Sequence, residues 1–217
     1  MSACCDCHAI DRHFGATRAA AELDAYVRQG PTGTTRLILG SLDQLPGRIE
    51  SLLDIGAGVG ILHHELLGSR ARLAVHVEAA HAYLDSARAE SVRRGHADRV
   101  RFLHGDFLTL APSLESADLV TIDRVICCYP EFEPLVRASV AMARRYYAIS
   151  YPHDRWYVRA HTVGQNLKRR WAGNPFRTFV HPPARVRALL EEGGLRIFQR
   201  RRTLVWEVLV GIRVDAA

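Results

Sequence analysis

The residues that could do chemistry in this chain fall in four short stretches at regular distances. The first is Asp54-x-Gly56-x-Gly58-x-Gly60, which follows the apolar pair Leu52-Leu53 and precedes a helical pattern at Ile61, Leu62, Glu65, Leu66 and Leu67. An acid, three alternating glycines and a helix start describe a buried strand, a tight turn and a helix N-terminus. The glycines take up positive φ and let a ligand lie against bare backbone, while the first helical N–H groups point outward at it. The spacing is not the G-x-G-x-x-G of pyrophosphate binders. With Asp54 just ahead, the turn suits a ligand carrying an ammonium group rather than a diphosphate. The second stretch is Leu73-Ala74-Val75-His76-Val77, ended by Glu78 eighteen residues past Gly60. A carboxylate there can accept both hydroxyls of a ribose. The third is Gly105-Asp106-Phe107, after the apolar segment Val100–Leu103. The fourth is Asp118–Asp123, which runs into Arg124-Val125-Ile126-Cys127-Cys128-Tyr129-Pro130.

Taken in order, these stretches resemble the class I S-adenosylmethionine-dependent methyltransferases, over a span from about Tyr26 to the C-terminus. The resemblance implies a Rossmann-like α/β fold, with a seven-stranded, mostly parallel sheet, helices on both faces and an antiparallel last strand. It implies S-adenosyl-L-methionine as cofactor and S-adenosyl-L-homocysteine as product. Asp54, Gly56, Gly58 and Gly60 would cradle the cofactor and Glu78 would take the ribose. Asp106 would receive the adenine amino group, Phe107 would pack on the ring, and Asp123 would end its strand at the substrate side. Tyr26 and Thr35, the latter within Thr34-Thr35-Arg36, are the candidates for reaching the methionine end, although both also suit ordinary packing and capping.

The segment Asp123–Pro130 is similar to the Asp-x-x-Ile-His-Tyr-Pro segment of magnesium-protoporphyrin O-methyltransferases, as is the downstream run Phe176-x-x-Phe179-x-His181-Pro182. This chain departs from that pattern by placing Cys127 where the histidine would stand. Two acceptors are therefore open. A soft nucleophile (sulfide, methanethiol, another thiol or a metalloid) fits the thiols, with Arg124 favouring its deprotonation and His153 or His181 taking the proton. A carboxylate or hydroxyl on a larger, porphyrin-type ring fits the resemblance, with a basic insertion holding propionates. Methyl transfer from a sulfonium depends mainly on positioning the acceptor. A base is needed only if the acceptor loses a proton as it attacks. Asp123, Arg124, Cys127, His153 and His181 are the candidate catalytic residues. Cys127 and Cys128 also suit the role of small buried hydrophobes, and being adjacent, only one is expected to face the pocket squarely.

The elements that must position these groups can be read from periodicity. Helical spacing covers residues 9–28, Gly30-Pro31-Thr32-Gly33 breaks the chain, and a second helix capped by Thr32 or Thr34 runs to Leu45. Residues 1–45 read as a helical cap, and residues 46–217 as the methyltransferase domain with a substrate-side insertion at residues 153–181. From Leu52 strand and helix alternate, as in a parallel sheet with helices on both faces. The insertion carries Trp156, Val158, Val163, Leu167 and Trp171, expected to face the core, with Arg155, Arg159, Lys168, Arg169 and Arg170 on the other side. The segments around Ile197-Phe198 and Thr203–Val210 suit a closing hairpin.

Composition bounds the alternatives. A chain of 217 residues is ample for one core. No apolar run reaches membrane-spanning length and no signal-like series is present, so the chain reads as cytoplasmic without membrane insertion. Five cysteines, an odd number with adjacent pairs, argue against a secreted disulfide framework. Cys4-Cys5-Asp6-Cys7-His8 lacks the spacing of a zinc knuckle, so no metal is expected, while metalloid capture or a thiol-lined lid stays open. The net charge is +6, and fifteen basic residues but only five acidic ones lie from Arg144 onward. Such asymmetry can signal nucleic acid. No Asn-Pro-Pro-Tyr-like tetrad follows the fourth stretch and no RNA-binding module is appended, which favours a small-molecule partner. A nucleic-acid methyltransferase and a cysteine-based metal or redox sensor are the remaining readings.

Overall fold

The computed structural model describes residues 7–214, with side chains from residue 9 on. The Cys4-Cys5-Asp6 part of the N-terminal cluster and the side chains of Cys7 and His8 lie outside the described residues. Three helices, α1 (Cys7–His13), α2 (Ala16–Gln29) and α3 (Gly33–Leu42), precede the first strand. Residues 9–28 thus form two helices rather than the single one expected. The break falls at Phe14-Gly15, where Gly15 is extended ahead of α2. Thr32 takes the N-cap position of α3 without a side-chain capping bond.

Strand and helix then alternate through β1 (Ile49–Ile55), α4 (Ile61–Ser69), β2 (Ala71–Glu78), α5 (His81–Arg93), β3 (Val100–His104), α6 (Phe107–Leu110), β4 (Ala117–Asp123), α7 (Phe132–Ala141) and β5 (Ala143–Pro152). The chain continues with α8 (Trp156–Trp171), α9 (Pro183–Glu192), β6 (Leu195–Arg202) and β7 (Trp206–Arg213). The seven strands form one sheet in the order β3-β2-β1-β4-β5-β7-β6. The first five run parallel, and β7 lies antiparallel between β5 and β6. The expected fold class is what the chain adopts. The order reverses between β1 and β4, so crossovers leave opposite faces there and open a crevice at the strand C-termini.

Period-two alternation distributes the core. Leu53, Ile55, Val120, Ile122 and Ile149 pack with α7 and α9 through Leu135, Val136 and Leu189. Leu52, Leu119, Ala148 and Val208 pack with α3 and α4 through Ile38, Leu42, Leu62 and Leu66. On that second face Asp54 pairs in register with Thr121 on one side and His76 on the other. Three neighbouring strands therefore put a polar residue at one level, just where the glycine turn begins.

The hairpin edge is tied by one buried acid. Glu207, fully buried on β7, accepts from Tyr151 at 2.9 Å, Arg200 at 2.8 Å and Arg202 at 2.6 Å. Burial pushes its carboxyl up, but these donors win and hold it below the usual carboxylate range. A depressed folded-state pKa contributes stability above the unfolded value, near 4.3, and loses it as pH falls through the folded value. Glu207→Gln should therefore cost about 1–3 kcal/mol at pH 7. It should also flatten the acid limb of melting temperature against pH, which thermal denaturation between pH 3 and 7 would read.

Among the described residues, no helix is long and apolar enough to cross a membrane.

Candidate active site

A cavity of about 350 Å³ opens at the crevice between β1 and β4, walled by the glycine turn, the ends of β2 and β4, and residues of α1, α2 and α8. Asp54, Gly56, Gly58, Glu78, Phe107, Thr35, Asp123, Arg124 and Cys127 all line it, whereas Gly60, expected to cradle the ligand with them, does not.

The turn is glycine for steric reasons. Gly60 has φ +86°, and a Cβ there would lie 2.3 Å from His63 and 2.8 Å from His64. Gly56 has φ +60°, and its Cβ would lie 2.5 Å from Val125. The turn is thus wedged between α4 below and the segment after β4 above. Below it, Asp54 accepts from the Thr121 hydroxyl at 2.6 Å and from His63 Nδ1 at 3.3 Å. His63, His64 and His76 are fully buried. Burial and the neighbouring imidazoles push His64 down to about 2 and His76 well below its ordinary value, so both are neutral at pH 7. This packed layer, through His63, fixes the Asp54 carboxylate at the floor of the cavity.

Glu78 accepts from the Gly58 N–H at 2.9 Å and the Ala80 N–H at 2.8 Å. Burial raises its pKa against those bonds, and the acid clamps the turn to the end of β2. On the far side Asp123 accepts from Thr35 at 2.6 Å and Ser150 at 2.5 Å. Arg124 has φ +62°, alone among the described non-glycine residues. An L side chain there costs about 1–2 kcal/mol, and strain of this kind gathers at functional sites. Its N–H is held by Ser150 at 2.9 Å. The left-handed step swings Val125 over Gly56 and brings Cys127 and Cys128 to the cavity wall. Both cysteines line the cavity. The Cys127 thiol donates to the Arg124 carbonyl at 3.4 Å.

Several expected roles are corrected. Tyr26 is buried away from the cavity, its hydroxyl donating to Glu65 at 2.5 Å. The packing of α2 on α5 and α4 uses it, and Thr35 alone of the two approaches the site. His153 lies in a separate groove with Trp156 and Leu204. His181 stacks on Phe132 at 4.2 Å and donates from Nε2 to the Ile126 carbonyl at 3.0 Å. Neither histidine lines the cavity, because the chain after β5 leaves the crevice before turning back. Asp106 is also absent from the wall. It accepts from Tyr129 at 2.5 Å, and Tyr129 itself faces the cavity.

The structure adds His13, Phe14, Arg18 and Glu22, which enter from α1 and α2, and Thr178, none of them assigned to the site from sequence. It also brings to the wall Arg169, from the basic face of the insertion, and Phe176, from the run that follows it. His13 stacks on Phe176 at 4.2 Å and accepts from Arg18 at 2.5 Å. Burial and the Arg18 and Arg169 charges push it down to about 4. Arg169 donates to Thr178 at 3.0 Å and Gln165 at 2.9 Å. Burial and the nearby Arg18 and Arg177 guanidiniums depress its pKa. Neither Arg18 nor Arg169 forms an ion pair among the described residues. Glu22 is already committed, accepting from Tyr83 at 3.0 Å and from Arg124 at 3.5 Å.

An adenosyl cofactor with an amino-acid tail fits these groups. The turn at Gly56 and Gly60 leaves no room for a Cβ, Glu78 sits at the end of β2, and the Asp54 carboxylate lies where an ammonium group can approach. Residues 53–145 match the family described as "Methyltransferase domain". No curated protein sequence matches the chain. Among solved structures, the fold is similar to magnesium protoporphyrin IX methyltransferase from Synechocystis PCC 6803 with bound SAH. That likeness has 19% identity and TM-score 0.68, and covers 96% of this chain and 100% of that one. It is similar also to an O-methyltransferase family protein from Burkholderia thailandensis, at 16% identity and TM-score 0.67, covering 92% of this chain and 60% of that one. The 4+2 cyclase SpnF gives TM-score 0.67 at 12% identity, with 94% of each chain covered. At these identities the likeness establishes the fold, and the cyclase is a reminder that chemistry is decided at the site.

Proposed function

We propose that this class I S-adenosylmethionine-dependent methyltransferase domain methylates a small molecule at an atom that is already negatively charged, with a thiolate as the leading acceptor. The observation that carries the reading is an imbalance at the cavity wall. Every described carboxylate there already accepts hydrogen bonds: Asp54 from Thr121 and His63, Glu78 from backbone N–H groups, Asp123 from Thr35 and Ser150, Glu22 from Tyr83. The one imidazole on the wall, His13, is held near 4 and occupied by Arg18. Meanwhile Arg18 and Arg169 face the cavity without a carboxylate partner.

A site so built stabilises an anion and is poorly equipped to remove a proton. When bound, the cofactor supplies a methyl group on a sulfonium, an electrophile open to in-line attack. The chain's own residues hold, orient and shield. Asp54 and the turn fix the amino-acid end, and Glu78 faces the ribose hydroxyls. Tyr129 and Phe107 close the adenine side. Arg18 and Arg169 hold the acceptor's charge, and Phe14 and Phe176 exclude water around it. A thiol needs only partial ionisation to be a strong nucleophile, and neighbouring guanidiniums favour its thiolate. The thiols of Cys127 and Cys128 add a soft lining. A carboxylate acceptor is the second reading, favoured by the fork of Arg169, which matches a carboxylate in bidentate fashion.

Transfer of labelled methyl from S-adenosylmethionine to sulfide, methanethiol, arsenite and magnesium-protoporphyrin tests the choice. Label in a thiol product supports the leading reading. Label in the porphyrin alone transfers the proposal to the carboxylate, and label in neither overturns both.

A further inference from the structure

Helix α8 is amphipathic in the reverse sense to that read from its sequence. Its inward face carries Val158, Thr162, Asn166 and Arg169, the last of which reaches the cavity. Its outward face carries Trp156, Val163, Leu167 and Trp171, spaced to fall on one stripe of a 3.6-residue helix. The two tryptophans are 80% and 81% exposed and Val163 65%. The stripe runs the length of a sixteen-residue helix, about 22 Å at 1.5 Å per residue. At its N-terminal end it is continued by Leu204 in the turn before β7, which is 77% exposed. The Tyr157 hydroxyl, donating to the Leu204 carbonyl at 3.0 Å, holds that turn beside the helix.

The charges beside this stripe have one sign. Helix α8 has no acidic residue. Arg159 and Arg170 flank one side of the stripe and Lys168 the other, with Arg155 at its start. The nearest acid, Asp154, is taken by Arg159. Arg155, Lys168 and Arg170 form no ion pair among the described residues. A second copy laid on this face would bring cation against cation. A partner that is apolar at its centre and anionic at its surface meets both demands.

We infer that the outward face of α8, with Leu204, docks on an anionic lipid surface. The helix lies in the plane of the headgroups with its tryptophans at the acyl boundary and its arginines and lysine among the phosphates. This is the geometry of interfacial amphipathic helices, and juxtaposed cations add to the attraction. It involves no spanning segment. Because Arg169 on the opposite face reaches the cavity, the docked helix is also a wall of the site, and an apolar acceptor dissolved in the bilayer would meet the enzyme at that wall. The inference is independent of which acceptor atom is methylated.

The test is cosedimentation of the full chain with vesicles of phosphatidylcholine alone and with about 30% phosphatidylserine, alongside tryptophan emission. Binding to the anionic vesicles, a blue shift, and weakening as salt rises are expected. Trp156→Ala/Trp171→Ala should cut the partition coefficient at least about tenfold. Arg155→Glu/Lys168→Glu/Arg170→Glu should abolish the preference for anionic lipid. Both variants should keep the wild-type melting temperature and affinity for S-adenosylmethionine, since these side chains face away from the cavity. No binding to anionic vesicles overturns the inference, as does binding that the variants leave unchanged. A dimer in sedimentation velocity that the double-tryptophan variant loses would assign the stripe to a second copy instead, and also overturns it.

Discussion

Gly60→Ala is expected to abolish measurable binding of S-adenosylmethionine and to lower the melting temperature by about 6–12 °C. Two costs combine. The residue sits at φ +86°, where an L side chain costs about 1–2 kcal/mol. Its Cβ would also lie 2.3 Å from the His63 ring and 2.8 Å from His64. Both rings are buried in a packed layer with His76 and Phe102, so relief requires overpacking worth a further 1–3 kcal/mol or so. A total near 3 kcal/mol corresponds to the stated shift for a domain of this size. Movement of His63 also displaces the Asp54 carboxylate that it holds, so the cavity loses its floor as well as its turn, and with them the proposed hold on the cofactor's amino-acid end. Gly58→Ala is the internal control. Its φ is +60°, but the added Cβ would meet only Tyr83 at 3.6 Å, so the backbone cost alone, about 1–2 kcal/mol, should appear. Calorimetric titration and thermal denaturation of the two variants separate the wedge from the backbone. Equal losses in both would show that the histidine layer plays no part.

Arg169→Ala is expected to lower kcat/KM for the methyl acceptor by about 10–150-fold, the worth of a charge-assisted hydrogen bond of 1.5–3 kcal/mol, while leaving affinity for S-adenosylmethionine unchanged. The guanidinium reaches the cavity from α8 and is anchored by Thr178 and Gln165. It is distant in the chain from the glycine turn and from Glu78. Its bonds to Thr178 and Gln165 are lost with it, but like-charge neighbours and burial already depress its pKa, so relieved repulsion offsets part of that loss and the melting temperature should fall by only a few degrees. Arg169→Lys should recover only part of the activity, since a point charge replaces a planar fork. A loss of cofactor affinity equal to the loss of kcat/KM would place Arg169 in the fold rather than at the acceptor.

How much of this was legible in the sequence varies by segment, for physical reasons. The glycine-turn side of the cavity is largely legible because its residues are local. Asp54 to Gly60 is one turn, Glu78 ends the next strand, and period-two alternation places them at the same sheet edge. Asp106 illustrates the limit, since its partner Tyr129 comes from another crossover and no spacing announces it. The far wall of the cavity is legible only in part: the insertion at residues 153–181 is expected there, but which of its side chains reach the cavity, and that α1 and α2 join them, follows from tertiary packing. His153 and His181 are conspicuous in sequence, yet the path of the chain after β5 takes the first to another groove and turns the second onto a backbone carbonyl. The insertion was read inside out. Its tryptophans suggest a core face, whereas the polar stripe of Thr162, Asn166 and Arg169 is the better guide, because Asn166 and Arg169 both bond to Thr178 in the segment that follows the helix. Tyr26, on the helices ahead of the first strand, suits either the methionine end or ordinary packing, and packing is the role it takes. Its partner Glu65 lies 39 residues away on α4, beyond the reach of local pattern.

A site built in this way binds an acceptor's charge and does not create it. The measurement that bears on this most directly is kcat/KM against pH for two thiol acceptors whose own pKa values differ by about two units, since that profile reports the free enzyme and free substrate. The expected result is a pair of curves, each rising with the ionisation of its own thiol and displaced from one another by the same two units. A single inflection shared by both thiols would reveal a titrating base on the enzyme and contradict the account.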